Sequence, residues 1–205
     1  MSEVKQHLTY QEQIEKLRSR GCIINNDTLC EEILENTGYY RLSAYFLPFK
    51  TESGKYKENL TLERVYHIYE FDRKLRDLLF TAIEVIEVSL RSRLSYFHSK
   101  KYGPLGYLDE SSFNSKHDAV KFNDNINREI ENNKKVLFVK HHIEHYEGKF
   151  PLWVICELFT FGMLSYFYND LTTADKKEFA GAQYKEMVSW LRCCTDLRNI
   201  CAHYG

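Results

Sequence analysis

One stretch near the middle of the chain limits the fold more than any other. Between Thr61 and about Ser99 the apolar residues recur at spacings of three and four, which is the pattern of an α-helix. Val85 and Val88 widen the apolar stripe, so we predict a central helix that is buried on most of its sides. Residues 70–72 are a candidate position for a joint in this helix. The predicted stripe consists of Leu75, Leu79, Ala82, Ile86, Leu90, Leu94 and Phe97.

The segments before this helix predict shorter helices with polar joints. Residues 10–20 are amphipathic and end at Gly21, a residue that favours the end of a helix. Asp27 or Thr28 can cap a second helix, which Gly38 ends. An aromatic run over residues 39–49 stops at Pro48, and residues 51–60 predict a loop.

The segments after the central helix continue the pattern. Residues 100–115 predict a loop, and residues 116–133 and 134–147 predict two polar helices. Pro151 suits the first turn of an apolar helix, because its missing N–H has no partner there. A further helix begins at Thr172 or Thr173. The last helix starts at about Tyr184, and its predicted buried stripe is Met187, Trp190, Leu191, Cys194, Leu197 and Cys201.

Composition and pattern together predict the fold class. The chain has only three prolines and nine glycines, few for a sandwich or barrel with many tight turns. No segment alternates apolar and polar residues as a strand does. We therefore predict an all-α helical bundle, a single domain over residues 1–205 in which the helices of residues 1–60 can form a subdomain.

Localisation and redox state follow from what the sequence lacks. It contains no apolar run of membrane-spanning length and no signal peptide, so we predict a soluble, cytoplasmic protein with no membrane contact. In that compartment six cysteines without a C-x-x-C pair are free thiols, mostly packed in the core.

The net charge of −1 argues against a protein that coats nucleic acid, but an enzyme needs only a local basic patch. The 15 tyrosines and 13 phenylalanines favour core packing over base stacking.

The chain ends in the motif Arg198-Asn199-x-x-x-His203, which suits phosphodiester cleavage. The guanidinium of Arg198 can hold a phosphate by two hydrogen bonds, and His203 can move a proton near neutral pH. This chemistry needs no metal and no cofactor. On a regular helix residues five apart point roughly 140° away from each other. Either the helix ends or distorts before His203, or a second copy of the chain completes the site.

Two other constellations offer alternative chemistry. His141 and His145 are four residues apart and share a helix face, as zinc ligands do, and Glu144 copies the spacing of an inverted metalloprotease motif. No third ligand is evident, so solvated polar residues are the simpler interpretation. A catalytic cysteine among Cys193, Cys194 and Cys201 is a weaker hypothesis, because these residues lie on or near the apolar stripe of the last helix.

Several blocks of the sequence resemble one family. The string RNICAHYG is similar to the RN-x-x-AH signature of Abi-like (abortive-infection) proteins, the AbiD/AbiF group of the HEPN superfamily. The strings TGYYRLSAYFLPF, YEFDRKLRDLLFTAIEVIEVSLRSRL, YGPLGYLD and PLWVICELFTFGMLS resemble other blocks of that family in the same order. The resemblance implies a HEPN-type bundle with additional helices that forms a homodimer and brings two R-x4-H motifs into one metal-independent endoribonuclease site. It also implies an antiphage or toxin-like role, with RNA as substrate and a small non-coding RNA as a candidate regulator.

The same resemblance assigns roles to individual residues. Arg198 and His203 are the catalytic candidates, and Asn199 beside them is a candidate for positioning. Glu84 and Arg91 share a face of the central helix and are candidates for supporting the motif; an ion pair between Glu87 and Arg91 is the simpler interpretation. Apart from the resemblance, the candidates for contacting RNA are Arg192 and Arg41, and a structural role is the equal alternative for Arg41.

The chain also departs from the family pattern. Tyr204 stands where related sequences carry a second His, and the chain stops two residues after His203, so we expect a truncated C-terminus. A second hypothesis is therefore a non-catalytic RNA-binding or partner-binding module that has kept the fold.

Overall fold

Ten α-helices make up most of the regular structure in the computed structural model, which describes Val4 and residues 6–203. The described residues contain no β-strand, so the prediction of an all-α fold is confirmed. The helices are α1 (Tyr10–Ser19), α2 (Asp27–Thr37), α3 (Tyr39–Phe46), α4 (Leu62–Tyr102), α5 (Ala119–Asn132), α6 (Leu137–His145), α7 (Leu152–Ile155), α8 (Phe161–Asp170), α9 (Thr173–Ala180) and α10 (Glu186–His203).

The ends of several helices follow local capping chemistry. Gly21 and Gly38 both have positive φ and follow α1 and α2, as predicted. Asn26, and not Asp27 or Thr28, caps α2, because its side chain accepts a hydrogen bond from the Leu29 N–H at 3.1 Å. Thr172 caps α9 as predicted.

One predicted apolar helix is divided in the structure. Pro151 precedes α7 instead of occupying its first turn, and α7 gives way to a 3₁₀ turn at Cys156–Leu158. Thr160 then caps α8 by accepting a hydrogen bond from the Met163 N–H at 3.2 Å. This cap is not evident from the sequence because apolar residues continue on both sides of Thr160.

The long helix α4 differs from its prediction in two ways. It runs for 41 residues without a joint at residues 70–72. Most of its buried residues, such as Val65 and Leu94, lie towards its two ends, while most side chains in the middle are exposed and Ile83 is an exception. Val85 is 67% exposed, and the other residues wrongly predicted to be buried are Leu75, Ala82, Ile86 and Val88. The apolar period gives the spacing of a face but not whether another part of the same chain covers it.

The contacts divide the chain into two compact units, Met1–Asp77 and Leu78–Gly205, so the boundary lies within α4. In the first unit, α1 and α2 pack together and Arg18 forms ion pairs with Glu15 and Asp27. Its buried core includes Ile14, Leu17, Cys30, Leu34, Leu42, Phe46, Leu60, Leu62 and Val65.

The second unit has a larger core, with α10 packed against α8. Aromatic rings fill its centre: Phe113 lies against Phe167 with ring centroids 5.2 Å apart, and Tyr168 is fully buried. None of the helices in the described residues is both long enough and apolar enough to cross a membrane.

His98 is a buried titratable side chain in the core of the second unit. It lies 3.2 Å from Ser112 Oγ through Nε2 and stacks against Phe113. Burial lowers the pKa of His98 to about 4. In the unfolded chain a His titrates near 6.5, so between these two pH values the unfolded state binds more protons and the folded state loses stability as the pH falls.

We therefore expect the free energy of unfolding to fall by about 2 kcal/mol between pH 7 and pH 5 because of His98. Urea unfolding at a series of pH values measures this, and His98→Phe, which keeps an aromatic ring, should flatten the profile. Asp175 does not compete in this pH range. Burial opposes its ionisation, but hydrogen bonds from Lys101 and Tyr102 outweigh burial and hold the pKa of this carboxyl below its usual range. An equally steep profile in His98→Phe would contradict the assignment.

Candidate functional site

The R-x4-H motif lies on α10, which continues without interruption through His203. The first alternative from the sequence, that the helix ends or distorts before His203, is therefore wrong. Five residues along a regular helix turn the direction of a side chain by roughly 500°, so Arg198 and His203 point about 140° apart. Within one chain the helix does not bring the two side chains to one point.

Arg198 is half-buried on the side of α10 that turns towards the core of the second unit. Its guanidinium carbon lies 5.9 Å from the centroid of the Phe80 ring, and its Nη1 donates a long hydrogen bond of 3.5 Å to Asn199 Oδ1. It forms no ion pair with any residue that the structure describes. Its donors are therefore not neutralised by a carboxylate and can bind an anion.

His203 belongs to a different, solvent-exposed face of α10. Arg192, Asn199 and His203 follow one another at spacings of seven and four, which places them on one side of the helix. All three side chains are exposed. The structure thus groups Arg192 and Asn199 with His203, whereas Arg198 is closer to the buried side.

A second exposed stripe on α10 is apolar. It contains residues that were predicted to be part of the buried core. Leu191 and Cys201 are buried and Met187 and Cys194 are half-buried, as the contact with α8 requires. Two other residues predicted to be buried are exposed: Trp190 by 55% and Leu197 by 41%. With Cys193 and Ile200 they recur at spacings of three, four and three. We call the set Trp190, Cys193, Leu197 and Ile200 the α10 stripe.

The side chain of Arg91 donates hydrogen bonds to the segment between α7 and α8 and to Glu87. Its Nε donates to the backbone oxygen of Cys156 at 2.8 Å, and its Nη2 donates to that of Phe159 at 3.0 Å and to Glu87 at 2.8 Å. The expected ion pair between Glu87 and Arg91 is confirmed. Arg91 fixes the segment between α7 and α8. Glu84 is exposed on α4, and a supporting role of Glu84 or Arg91 in the motif stays a prediction.

Arg41 lies elsewhere in the chain. It is an exposed residue of α3 and belongs to the first unit, whereas Arg198 and His203 belong to the second. Its contact with RNA stays a prediction. Tyr204, the position that departs from the family pattern, lies outside the described residues.

The structure does not favour the alternative metal site or the alternative catalytic cysteine. His141 and His145 stack on α6 with ring centroids 4.7 Å apart. Over Val4 and residues 6–203, however, no three His, Cys, Asp or Glu side chains are grouped so that they could hold a metal ion. Burial raises the pKa of Cys194, which disfavours its nucleophilic thiolate form. Cys201 is buried, and Cys193 is an exposed residue of the α10 stripe.

Comparison with known protein families identifies the family of the chain. The family model described as Abi-like protein matches residues 32–205, which is most of the chain. No curated protein and no solved structure matches the chain.

Proposed function

The chain belongs to the Abi-like protein family, and we propose that it is a metal-independent endoribonuclease of an abortive-infection system. Family membership relates the chain to abortive infection, and the R-x4-H motif suggests the reaction. The observation that carries the proposal is the presence, on one helix, of an exposed histidine and of an arginine that has no carboxylate partner among the described residues. RNA is the proposed substrate, and the cytoplasm is the proposed location.

In the proposed reaction the ribose 2′-oxygen attacks the neighbouring phosphorus and the bond to the 5′-oxygen breaks. Either His203 takes the proton from the 2′-hydroxyl and water protonates the leaving 5′-oxygen, or His203 protonates the 5′-oxygen and water takes the proton of the 2′-hydroxyl. Arg198 binds the non-bridging phosphate oxygens, on which negative charge increases in the transition state. Neither step needs a metal ion. Asn199 and Arg192 share the face of His203, so they are candidates for holding the RNA beside it.

The divergence of the two side chains supports a site that is completed by a second copy of the chain. Within one α10 they point about 140° apart, so the Arg198 of one chain and the His203 of another are better partners. The α10 stripe supplies an apolar contact surface beside the motif. Its spacing of three, four and three is the pattern by which two helices pack side by side. We therefore propose a homodimer that pairs through this stripe.

The test is cleavage of a mixed pool of structured and single-stranded RNAs in the presence of EDTA. We expect the parent chain to yield products, and we expect His203→Ala to lower the rate at least about a hundredfold because the proton transfer is lost. His145→Ala is the matched control, since it removes another exposed histidine of the same unit. Gel electrophoresis of end-labelled RNA measures the rate.

The outcomes separate the two functional hypotheses. Loss of products in His203→Ala but not in His145→Ala supports the proposed mechanism. Absence of cleavage by the folded, dimeric parent would contradict it and would favour a non-catalytic RNA-binding module. A regulatory non-coding RNA, a further proposed partner, would then be the first ligand to test.

A further inference from the structure

The first unit contains a basic groove that the proposed function does not use. The groove has a volume of about 390 Å³ and is lined by α1, α3 and the segment that follows α3. Three cationic side chains line it: Lys16, Arg20 and Lys50. None of the described residues that line it is an aspartate or a glutamate. The groove therefore has a local positive charge, although the whole chain has a net charge of −1.

Two of the three groove cations, Lys16 and Arg20, contact aromatic side chains, and no described carboxylate forms an ion pair with them. Arg20 donates a hydrogen bond of 3.4 Å to the hydroxyl of Tyr39, and the Nζ of Lys16 lies 5.7 Å from the centroid of the Tyr39 ring. A hydrogen bond with Tyr56 raises the pKa of Arg20 and so favours its charged form. By contrast Arg18, on the same helix, is neutralised by two carboxylates. The positive charge of the groove thus remains available to an anion.

An exposed aromatic ring lies at the same groove. Tyr40, near the start of α3, lines the groove and is 91% exposed. A tyrosine that packs in a core is mostly shielded from water. Because the ring of Tyr40 keeps its contact with water, it contributes little to the packing of the unit. An exposed ring beside cationic side chains is the arrangement with which proteins hold a nucleobase next to its phosphate.

Gln13 also lines the groove, but its amide is oriented by a contact within the unit. Its Nε2 donates to the backbone oxygen of Leu8 at 2.8 Å, which fixes the orientation of the amide. The buried Oε1 has no hydrogen-bond donor among the residues that the structure describes. Because this oxygen has no contact with solvent, it is not one of the groups that a ligand in the groove contacts.

We propose that this groove binds a nucleotide of single-stranded RNA, with the phosphate on the cationic side chains and the base stacked on Tyr40. The proposal rests on the proposed function in that RNA is the ligand. It assigns RNA binding to a surface of the first unit, apart from the residues proposed for cleavage. An acidic peptide could use the same cations, but it would gain nothing from the exposed ring.

The test is fluorescence anisotropy with a short single-stranded oligonucleotide of mixed sequence whose riboses are 2′-O-methylated. This probe has the phosphates and bases of RNA but cannot be cleaved through its 2′-oxygen. Binding to the groove is therefore measured on the full-length parent chain whether or not it cleaves RNA, and failure of one proposal does not imply failure of the other.

Two sets of variants report on the two parts of the ligand. Lys16→Gln combined with Lys50→Gln should weaken binding and lower the slope of log K against log salt by about 1.4, two phosphate contacts on a single strand. Lys55→Gln with Lys74→Gln is the matched control, because it removes the same charge from residues that do not line the groove. Tyr40→Ala should weaken binding about tenfold at an unchanged salt slope, and Tyr40→Trp should restore it.

Several results would overturn the proposal. They are absence of binding by the parent chain, an equal decrease in the slope of log K against log salt for both lysine pairs, and full affinity in Tyr40→Ala. If Tyr40→Ala binds normally and polyglutamate displaces the oligonucleotide as effectively as unlabelled oligonucleotide does, the groove is a site for an acidic protein instead. The nucleotide site is supported if Tyr40→Trp binds with restored affinity and if the salt slope falls in the Lys16→Gln, Lys50→Gln variant but not in the control variant.

Discussion

Trp190→Glu combined with Leu197→Glu is expected to convert the protein to a monomer and to lower RNA cleavage about a thousandfold or more. Both side chains are exposed in the single chain, so the substitutions should cost little stability there. Across two paired α10 stripes, however, they place four like charges in an apolar contact, which is strongly unfavourable. If the site combines Arg198 of one chain with His203 of another, a monomer retains only half of it. Analytical ultracentrifugation and the cleavage assay measure the two effects.

The matched control for this experiment is Val120→Glu combined with Leu137→Glu. These residues are 73% and 85% exposed in the second unit, and their substitution adds the same charge away from the α10 stripe. The control should remain dimeric and active. A monomeric stripe variant with full activity would refute the shared site, and a dimeric one would exclude the α10 stripe as the interface.

Arg91→Ala is expected to lower the free energy of unfolding by about 3 kcal/mol. The guanidinium satisfies two backbone oxygens and the carboxylate of Glu87, and only 14% of its side chain is exposed. Truncation leaves these acceptors without their donor in a nearly dry environment, and each loss costs roughly 1–3 kcal/mol before solvent compensates part of it. Urea unfolding monitored by circular dichroism measures the change.

Two further substitutions show whether the lower stability is caused by loss of the hydrogen bonds from Arg91 to the two backbone oxygens. Arg91→Lys keeps the charge and can still pair with Glu87, but it cannot donate to both backbone oxygens, so its loss should be intermediate. Arg93→Ala removes an arginine two residues away that is exposed and lies 5.2 Å from the centroid of the Phe179 ring. It should cost about 1 kcal/mol or less. Equal losses in Arg91→Ala and Arg93→Ala would contradict the explanation.

The fold class and most helix ends could be predicted because they depend on local chemistry. Gly21, Gly38 and Thr172 act within one turn of their own position, and the structure confirms them. The cap at Thr160 was missed because the apolar pattern around it hides a short break. Local signals of this kind are in the sequence, but a continuous apolar run masks them.

What could not be predicted is which apolar faces the chain itself covers. Trp190 and Leu197 fit a helical period as well as Leu191 does, yet only Leu191 is buried. Periodicity reports that a face is apolar and not what packs against it. The middle of α4 was misjudged for the same reason, as the exposure of Val85 demonstrates.

The motif on α10 was found from the sequence because its residues are close together in the chain. The basic groove was not, because its cations lie on separate segments: Lys16 and Arg20 are on α1, but Lys50 follows α3. The net charge of the whole chain conceals such a local concentration. The spacing of Lys16 and Arg20, four residues apart, was the one signal available.

The exposed thiol of Cys193 makes the proposed association visible by chemical labelling. This cysteine lies within the α10 stripe, while Cys22, Cys30, Cys156 and Cys201 are buried and Cys194 is half-buried. A maleimide should therefore react first with Cys193 in a dilute sample of separate chains. As concentration rises and the stripe becomes covered, the rate of that first reaction should fall in proportion to the fraction of chains still unpaired.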